Sequence, residues 1–329
     1  QPLCDAVHIA LMRQAGGILL GKTVTTEFAT FKGGPTTNPR NPQHTPGGSS
    51  SGSAAAVADY MVPIATGSQT AGSVIRPAAF CGVIGYKPTY GKISTGGSKS
   101  LSPSLDTLGC FARSVEDAAL SVATMTGDFD LANVLQAPKS VRIATCLTPD
   151  ADQASSDTIL AIEHAALLAE DYFKQPVKNI RLPKIFTKLA ETQSRIMWAE
   201  SAKSFAFEQE MHPEQLSQQI KGLLKIGNAI TYEQYSADLI VAEQARYAID
   251  QLLTQSCDIL IAPSAIGEAP AGITQTGDPI FCRIWTLLGL PCINLPLSTG
   301  SNGLPVGIQL VGARGKDRLL LSVAKALMS

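Results

Sequence analysis

The chain has 329 residues, of which 45% are apolar and 16% charged, and its formal net charge is −1. This near-neutral balance, without a long basic block, provides no electrostatic basis for binding nucleic acid or an anionic membrane. We therefore expect neither partner, and instead a small, weakly charged substrate.

The seven cysteines are scattered singly, with no C-x-x-C pair and no Cys/His cluster at zinc-ligand spacing. This pattern predicts reduced thiols and no metal site. No apolar run approaches the roughly 18 residues of a membrane span, and neither end has a basic segment followed by an apolar stretch. We therefore expect a cytoplasmic protein.

The first part of the chain alternates predicted helices and strands. Residues 5–15 have the pattern of an amphipathic helix, residues 17–20 that of an apolar strand, and residues 30–53 that of a loop-rich stretch. Because this helix opens the chain without an initiating Met, we expect the natural protein to have an earlier segment. A helix in AAAVADY and short buried strands in MVPIATG and CGVIGYKPT follow.

Ser114 with Asp117 is typical of a helix start, and Gly127 is typical of its end. Residues 140–147 are predicted to form a strand, and four helical stretches are predicted at 154–173, 187–209, 213–226 and 232–255. Strand-like runs return in DILIAPS, CINLPLS and LPVGIQLVG, before a helix from residue 317. We therefore predict a layered α/β/α fold with a central mixed β-sheet. It would comprise a core in residues 1–148, a helical insertion in 149–255 and the rest of the core in 256–329, with both core parts sharing one sheet.

The densest chemical signal is the Gly/Ser-rich run at residues 45–53, followed by a second run at 67–77 that contains Ser73. Such runs let backbone N–H groups approach a ligand and supply hydroxyls for short proton transfers. A flexible linker is the plain alternative, but apolar helix and strand segments flank both runs.

Two other chemistries fit less well. A phosphate-binding loop would need a Lys after the glycines, and none follows. Residues 48–52 match the G-x-S-x-G nucleophile elbow, with His164 and His212 downstream. However, the preceding loop is polar and broken by prolines, and each histidine lies in a predicted helix with a solvated face.

Over most of its length the sequence resembles the amidase signature family. The resemblance is carried by GGSSSG (47–52), QTAGS (69–73) and PAAFCGVIGYKPTYG (77–91), and in order by GKT, EFA, DILIAPS, GLPCINLP and GLPVGIQLVG. It implies hydrolysis of an amide by a Ser, Ser, Lys triad, without a metal or organic cofactor. It also implies a small-molecule amide substrate and is compatible with a homodimer.

By matched position, the resemblance implies that Ser73 is the acylated nucleophile and that Ser49 is the bridging serine, held through a cis peptide bond. The backbone N–H groups of Thr70, Ala71, Gly72 and Ser73 would form the oxyanion hole. We further expect the Oγ atoms of Ser49 and Ser73 to lie about 2.6–3.2 Å apart or slightly farther, with His164 and His212 excluded.

The sequence departs from the commonest family pattern at three points. Gln69 stands in place of an acid, and Ile75 in place of an arginine; Arg76, one residue later, need not point toward the site. The triad lysine should precede residue 1, since only Lys22 and Lys32 lie upstream of Ser49 and neither has the expected surroundings. Lys22 and Lys87 lie in segments that look structural, so neither is assigned as the base.

Three functional hypotheses therefore remain open. The chain is the larger part of an active amidase whose lysine lies outside it, an inactive scaffold or ligand-binding subunit, or an amidotransferase A-type subunit that passes ammonia to a partner. Substrate specificity is expected to come from residues 196–207 and 267–285.

Overall fold

The centre of the fold is a mixed β-sheet. A computed structural model describes residues 4–134 and 136–329, and within them the sheet has eight strands. In chain order these are β1 (Ile64–Gln69), β2 (Ile84–Lys87), β3 (Thr107–Ala112), β4 (Ile143–Thr145), β5 (Lys178–Asn179), β6 (Ile259–Pro263), β7 (Cys292–Thr299) and β8 (Pro305–Gly312). Their spatial order is β1-β3-β2-β7-β8-β6-β4-β5. Strand β4 pairs in parallel with β5 and β6, and the other pairs are antiparallel.

Helices cover both faces of this sheet. They are α1 (Val7–Gln14), α2 (Ser51–Ala58), α3 (Ile75–Cys81), α4 (Val115–Thr126), α5 (Ser156–Phe173), α6 (Leu189–Ser204), α7 (Ala206–Met211), α8 (Gln218–Ala229), α9 (Tyr232–Gln255), α10 (Ile280–Leu287) and α11 (Asp317–Met328). No helix within the described residues is long and apolar enough to cross a membrane.

Alternation along the strands separates two apolar cores. On β6, Ile259 and Ile261 belong to the core under α4, α5 and α11, whereas Leu260 and Ala262 belong to the core under α6, α8, α9 and α10. Burial on both faces explains why this strand reads as a continuous apolar run. The predicted layered α/β/α class with a central mixed sheet is confirmed.

Most predicted elements are confirmed. Helix α4 is capped at its start by Ser114, whose side chain accepts a hydrogen bond from Asp117 N at 3.1 Å, and is followed by Gly127 with a φ of 72°. Strand β2 pairs with β7, so the sequences before and after the helical region share one sheet, as expected. The predicted helix at 187–209 is two helices, α6 and α7.

The predicted strand at 17–20 is wrong. Ile18 is 94% exposed, and no strand in the described part of the chain pairs with this segment. An apolar run forms a strand only where a neighbour accepts its hydrogen bonds. Strand β3 and helices α3 and α10 were not predicted, because short, fully buried elements lack the alternation that reveals half-buried ones.

The predicted division into 1–148, 149–255 and 256–329 stays a proposal. Helix α5 packs against β6 and β8, and β5 extends the sheet beside β4. Helix α5 and strand β5 thus belong to the α/β core and not to the helical insertion. We propose that the helical insertion is better limited to the part that begins near residue 184.

Two glycines of α8 provide a matched test of how closely this helix packs on α6. A Cβ at Gly227 would clash with the backbone carbonyl of Trp198, whereas a Cβ at Gly222 would meet no atom within 4 Å. We expect Gly227→Ala to lower the free energy of unfolding by about 1–3 kcal/mol. We expect Gly222→Ala to raise it by about 1 kcal/mol.

Urea unfolding of the two variants checks this prediction, because each adds one methyl group to the same helix. Equal stabilities of Gly227→Ala and Gly222→Ala would contradict the close approach of α8 to α6.

Candidate active site

Ser73 lies in a tight loop between the edge strand β1 and helix α3, and only 8% of it is exposed. The side chain of Gln69, at the end of β1, fixes the far end of this loop. Its Oε1 accepts hydrogen bonds from Val74 N at 2.9 Å and Ile75 N at 3.0 Å. These are N–H groups at the start of α3, which the helix itself cannot satisfy. Gln69 therefore caps α3 and shapes the loop that contains Ser73.

Each carbonyl ahead of Ser73 is held by a separate donor. Thr70 O accepts from Gln193 Nε2 at 2.8 Å, Ala71 O accepts from Thr286 Oγ1 at 2.8 Å, and Gly72 O accepts from Arg76 N at 2.9 Å. By contrast, the N–H groups of residues 70–73 donate no hydrogen bond to any residue in 4–134 or 136–329. The carbonyl oxygens of the loop are thus hydrogen-bonded, whereas its N–H groups are free. Free N–H groups are what is required to stabilise an oxyanion.

Gly72 is needed for this packing. A Cβ there would come within 2.7 Å of Pro279 Cβ and 3.1 Å of Cys282 Cβ. Any larger residue would push the loop away from α10 and misalign the free N–H groups.

Ser49 lies in the first Gly/Ser run, at residues 45–53, just before α2. The Gly48–Ser49 peptide bond is cis, as expected from the resemblance. Its flanking carbonyls are both held: Gly48 O accepts from Arg76 Nη2 at 2.8 Å, and Ser49 O accepts from Thr26 N at 3.1 Å and from the Thr25 hydroxyl at 3.1 Å. Arg76 thus joins the loop of Ser49 to the helix that follows Ser73.

The expected hydrogen bond between Ser49 and Ser73 is not formed. Ser49 Oγ is buried and has no hydrogen-bond partner among the described residues. An interior hydroxyl without a partner is uncommon, because its desolvation is not compensated. The hydrogen bond to Ser73 is therefore absent, whereas the expected proximity of the two Oγ atoms stays a prediction.

The lysines and histidines considered from the sequence lie elsewhere. Lys87 is fully buried, and its ammonium donates to Pro88 O and Leu290 O; burial lowers its pKa. Lys32 pairs with Glu27 at 3.9 Å. His164 contacts Ser298 Oγ at 3.4 Å, and the exposed His212 lies against the ring of Phe207. No lysine or histidine of the described residues bonds Ser49 Oγ.

A pocket opens over the Ser73 loop. Ser73, Thr70 and Ala71 lie on one side of it with Arg76, and the walls are mostly apolar: Ala29, Thr30, Phe31, Leu101, Met197, Leu223 and Pro279. Met197 and Pro279 come from the segments expected to set specificity, but residues 29–31, Leu101 and Leu223 were not expected. Arg76 lines this pocket, whereas Ser49 does not.

Asp106 is a site residue that the sequence did not reveal. Its Oδ1 accepts from Thr70 Oγ1 at 2.6 Å, and its Oδ2 accepts from Ser100 Oγ and from the N–H groups of Leu101 and Ser102. Burial raises the pKa of this carboxyl, and the four hydrogen bonds oppose the rise. Asp106 ties the pocket wall to the oxyanion segment. The only sequence feature that could have revealed Asp106 is its position directly before strand β3, which was itself not predicted.

Comparison with known proteins gives consistent matches over nearly the whole chain. The family model described as Amidase matches residues 1–321. The A subunit of the glutamyl-tRNA(Gln) amidotransferase of Synechococcus sp. (strain WH7803) is 33% identical over 94% of this chain and 74% of its own length. The 6-aminohexanoate cyclic dimer hydrolase complexed with substrate superposes with a TM-score of 0.88 at 27% identity, covering 98% of this chain and 77% of that one. The peptide amidase from Stenotrophomonas maltophilia superposes with a TM-score of 0.81 at 28% identity, covering 98% and 76%.

Proposed function

The chain belongs to the amidase family, and on that premise we propose that it hydrolyses a carbon–nitrogen amide bond with Ser73 as the acylated nucleophile. The observation that carries this assignment is the loop at 70–73, whose carbonyls are tied and whose N–H groups are free beside the Ser73 hydroxyl in a pocket. An amide carbonyl that enters this pocket meets a nucleophile and oxyanion donors together.

The proposed reaction has two steps. Ser73 Oγ attacks the amide carbon while its proton leaves toward Ser49, and the negative charge that develops on the carbonyl oxygen is received by the N–H groups of residues 70–73. Return of the proton to nitrogen releases ammonia or an amine and leaves an ester on Ser73. Water then attacks that ester by the same route and releases the acid. One preorganised donor in such a site can be worth roughly 3 kcal/mol of barrier.

Ser49 is proposed as the proton relay. Its hydroxyl is buried, lies in a segment fastened to Arg76, and forms no hydrogen bond with another described residue. A relay hydroxyl must pass its proton to a base. We propose that this base is the triad lysine implied by the family resemblance and that it is supplied from outside the described residues.

Covalent labelling tests the nucleophile. We expect a fluorophosphonate to add its mass to one tryptic peptide, at Ser73, and we expect Ser73→Ala to remove that label completely because the adduct needs the Oγ atom. Ser68→Ala, five residues upstream on β1, is the matched control and should label at the wild-type rate. A label that persists in Ser73→Ala would refute the assignment.

A second candidate function is supported by the comparisons with known proteins. Several relatives are A subunits of glutamyl-tRNA(Gln) amidotransferases. Such a role would use the same Ser73 chemistry with an amide that yields ammonia. Ammonia release from glutamine, compared with a panel of primary, aryl and peptide amides, separates the two candidates.

The remaining proposals concern the cellular compartment and the class of substrate. None of the seven cysteines, all within the described residues, is in a disulfide. This supports a reducing, cytoplasmic environment. A small-molecule amide is the substrate class that suits a pocket with mostly apolar walls.

A further inference from the structure

Arg76 is a buried cation without a counterion. It is 1% exposed, and none of its nitrogens lies within 4.0 Å of a carboxylate in the described part of the chain. Nη2 donates to Gly48 O and to Thr276 Oγ1, at 2.8 and 3.2 Å. Nε and Nη1 are buried and have no acceptor among the described residues. A guanidinium in this state leaves donors unused in a place where unused donors are costly.

Arg76 remains charged despite its burial. Desolvation lowers the pKa of this guanidinium to about 10, which is still well above neutral pH. The neighbouring Cys282 cannot neutralise it, because burial raises the pKa of that thiol to about 12. The interior next to Ser73 therefore holds a positive charge that no directly bonded anionic group of the described residues balances.

Arg76 is one of the residues that line the pocket of the proposed nucleophile. Arg76 lies three residues after Ser73, at the start of α3, and both residues line the same pocket. Most of the other lining side chains, such as those of Met197, Leu223 and Pro279, are apolar. An anionic group that enters this pocket would meet Arg76 N–H groups in a setting of low dielectric constant, where a charged hydrogen bond is strong.

We propose that Arg76 is the binding site for a carboxylate on the substrate, so that the preferred substrates are small amides whose acyl part carries a second carboxylate. This inference rests on the proposed function of Ser73 and adds the substrate class to it. The guanidinium has two tasks: Nη2 holds the loop of Ser49, and the other nitrogens receive the ligand. The arrangement places the scissile carbonyl and the carboxylate of one small molecule in a single pocket.

The test compares matched amides. Monoamides of short α,ω-dicarboxylic acids are each paired with the methyl ester of the same monoamide, which has similar shape and no charge. We expect kcat/KM to be roughly 10- to 100-fold higher for the charged monoamide than for its methyl ester, for at least one chain length. The ester cannot form the charged hydrogen bond to Arg76. Arg76→Gln should abolish this preference, and Arg76→Lys should keep part of it.

Arg283→Gln is the control for a general effect of positive charge. Arg283 lies near Arg76, but its nitrogens are already occupied by Ser194 Oγ and Asp278 Oδ1. It should keep the preference for the charged amide. A wild-type ratio near one, with Ser73 still labelled, would overturn the carboxylate site but not the nucleophile. Equal losses on both amides in Arg76→Gln and Arg76→Lys would assign Arg76 a structural role only and would also overturn it.

A binding measurement decides the inference even if hydrolysis is absent. Titration calorimetry with the matching dicarboxylic acid should show binding to the wild-type protein and to Ser73→Ala. Binding should be at least roughly tenfold weaker in Arg76→Gln, which loses the charged hydrogen bond. The monocarboxylic acid of equal length is the comparison ligand. Failure of labelling together with Arg76-dependent binding would count against the proposed function alone, whereas unchanged binding in Arg76→Gln would count against the inference alone.

Discussion

Replacing Ser49 with alanine is expected to lower kcat/KM for amide hydrolysis by roughly 10⁴-fold, because loss of the supporting member of a catalytic triad typically costs about that much. The same change should leave the melting temperature unchanged or slightly higher. The hydroxyl it removes is buried and has no partner among the described residues, so its deletion also removes an uncompensated desolvation cost. Activity and stability should therefore move independently.

Ser53→Ala is the matched control for Ser49→Ala. Ser53 lies in the same Gly/Ser run, but its Oγ is paired with the Thr23 hydroxyl at 2.8 Å and donates to Thr66 O at 2.8 Å. We expect this variant to lose about 1 kcal/mol of unfolding free energy and to keep its activity. Kinetics on one amide and thermal melts of both variants provide the measurement. Near-wild-type activity in Ser49→Ala would remove Ser49 from the mechanism.

The sequence predicted the parts of this site that are local. The two Gly/Ser runs, at 45–53 and 67–77, contain the cis bond and the loop with free N–H groups, and the family resemblance that implies both features is carried by a few consecutive residues in each run. The groups that hold those loops are remote. Gln193 and Thr286 bond the Ser73 loop from 123 and 215 residues away, and such pairings leave no trace in local composition. The fold class was predictable for the same reason, since it depends on the order and period of elements.

The roles of Arg76 and Gln69 could not be predicted because each depends on what surrounds a buried polar group. The sequence position of Arg76, one residue beyond the arginine of the commonest family pattern, predicts no role for it, yet Arg76 contacts both serine-bearing loops. From the sequence, Gln69 is notable only because it replaces the acidic residue of the commonest family pattern. In the structure it is an acceptor for two N–H groups and a donor to one hydroxyl, and a carboxylate at this position could not do both.

Gln69→Glu is therefore expected to lower the free energy of unfolding by about 3 kcal/mol at neutral pH, although it preserves the shape of the side chain. Gln69 is fully buried, and its Nε2 donates to Thr286 Oγ1 at 3.0 Å. A carboxylate would present an acceptor there, and Thr286 could answer only by turning its single hydroxyl proton away from Ala71 O and Cys282 O, and the bond to Ala71 O holds the oxyanion loop. We thus expect kcat to fall together with stability.

The pH dependence of this variant distinguishes the buried charge from a loss of packing. Burial should raise the folded-state pKa of the introduced carboxyl above its unfolded value, since desolvation disfavours the carboxylate. An acid whose pKa is raised by folding is penalised at high pH and recovers as the pH falls through the folded pKa, because the protonated form can again donate to Thr286. Gln69→Leu, which removes both functions without adding a charge, should show a deficit that does not vary with pH. Unfolding free energies of the two variants between about pH 5 and 8, the usual range of maximal stability, compare them directly. A pH-independent deficit in Gln69→Glu would mean that the capped loop rearranges to solvate the charge, and that Gln69 does not hold the Ser73 loop in the way its hydrogen bonds indicate.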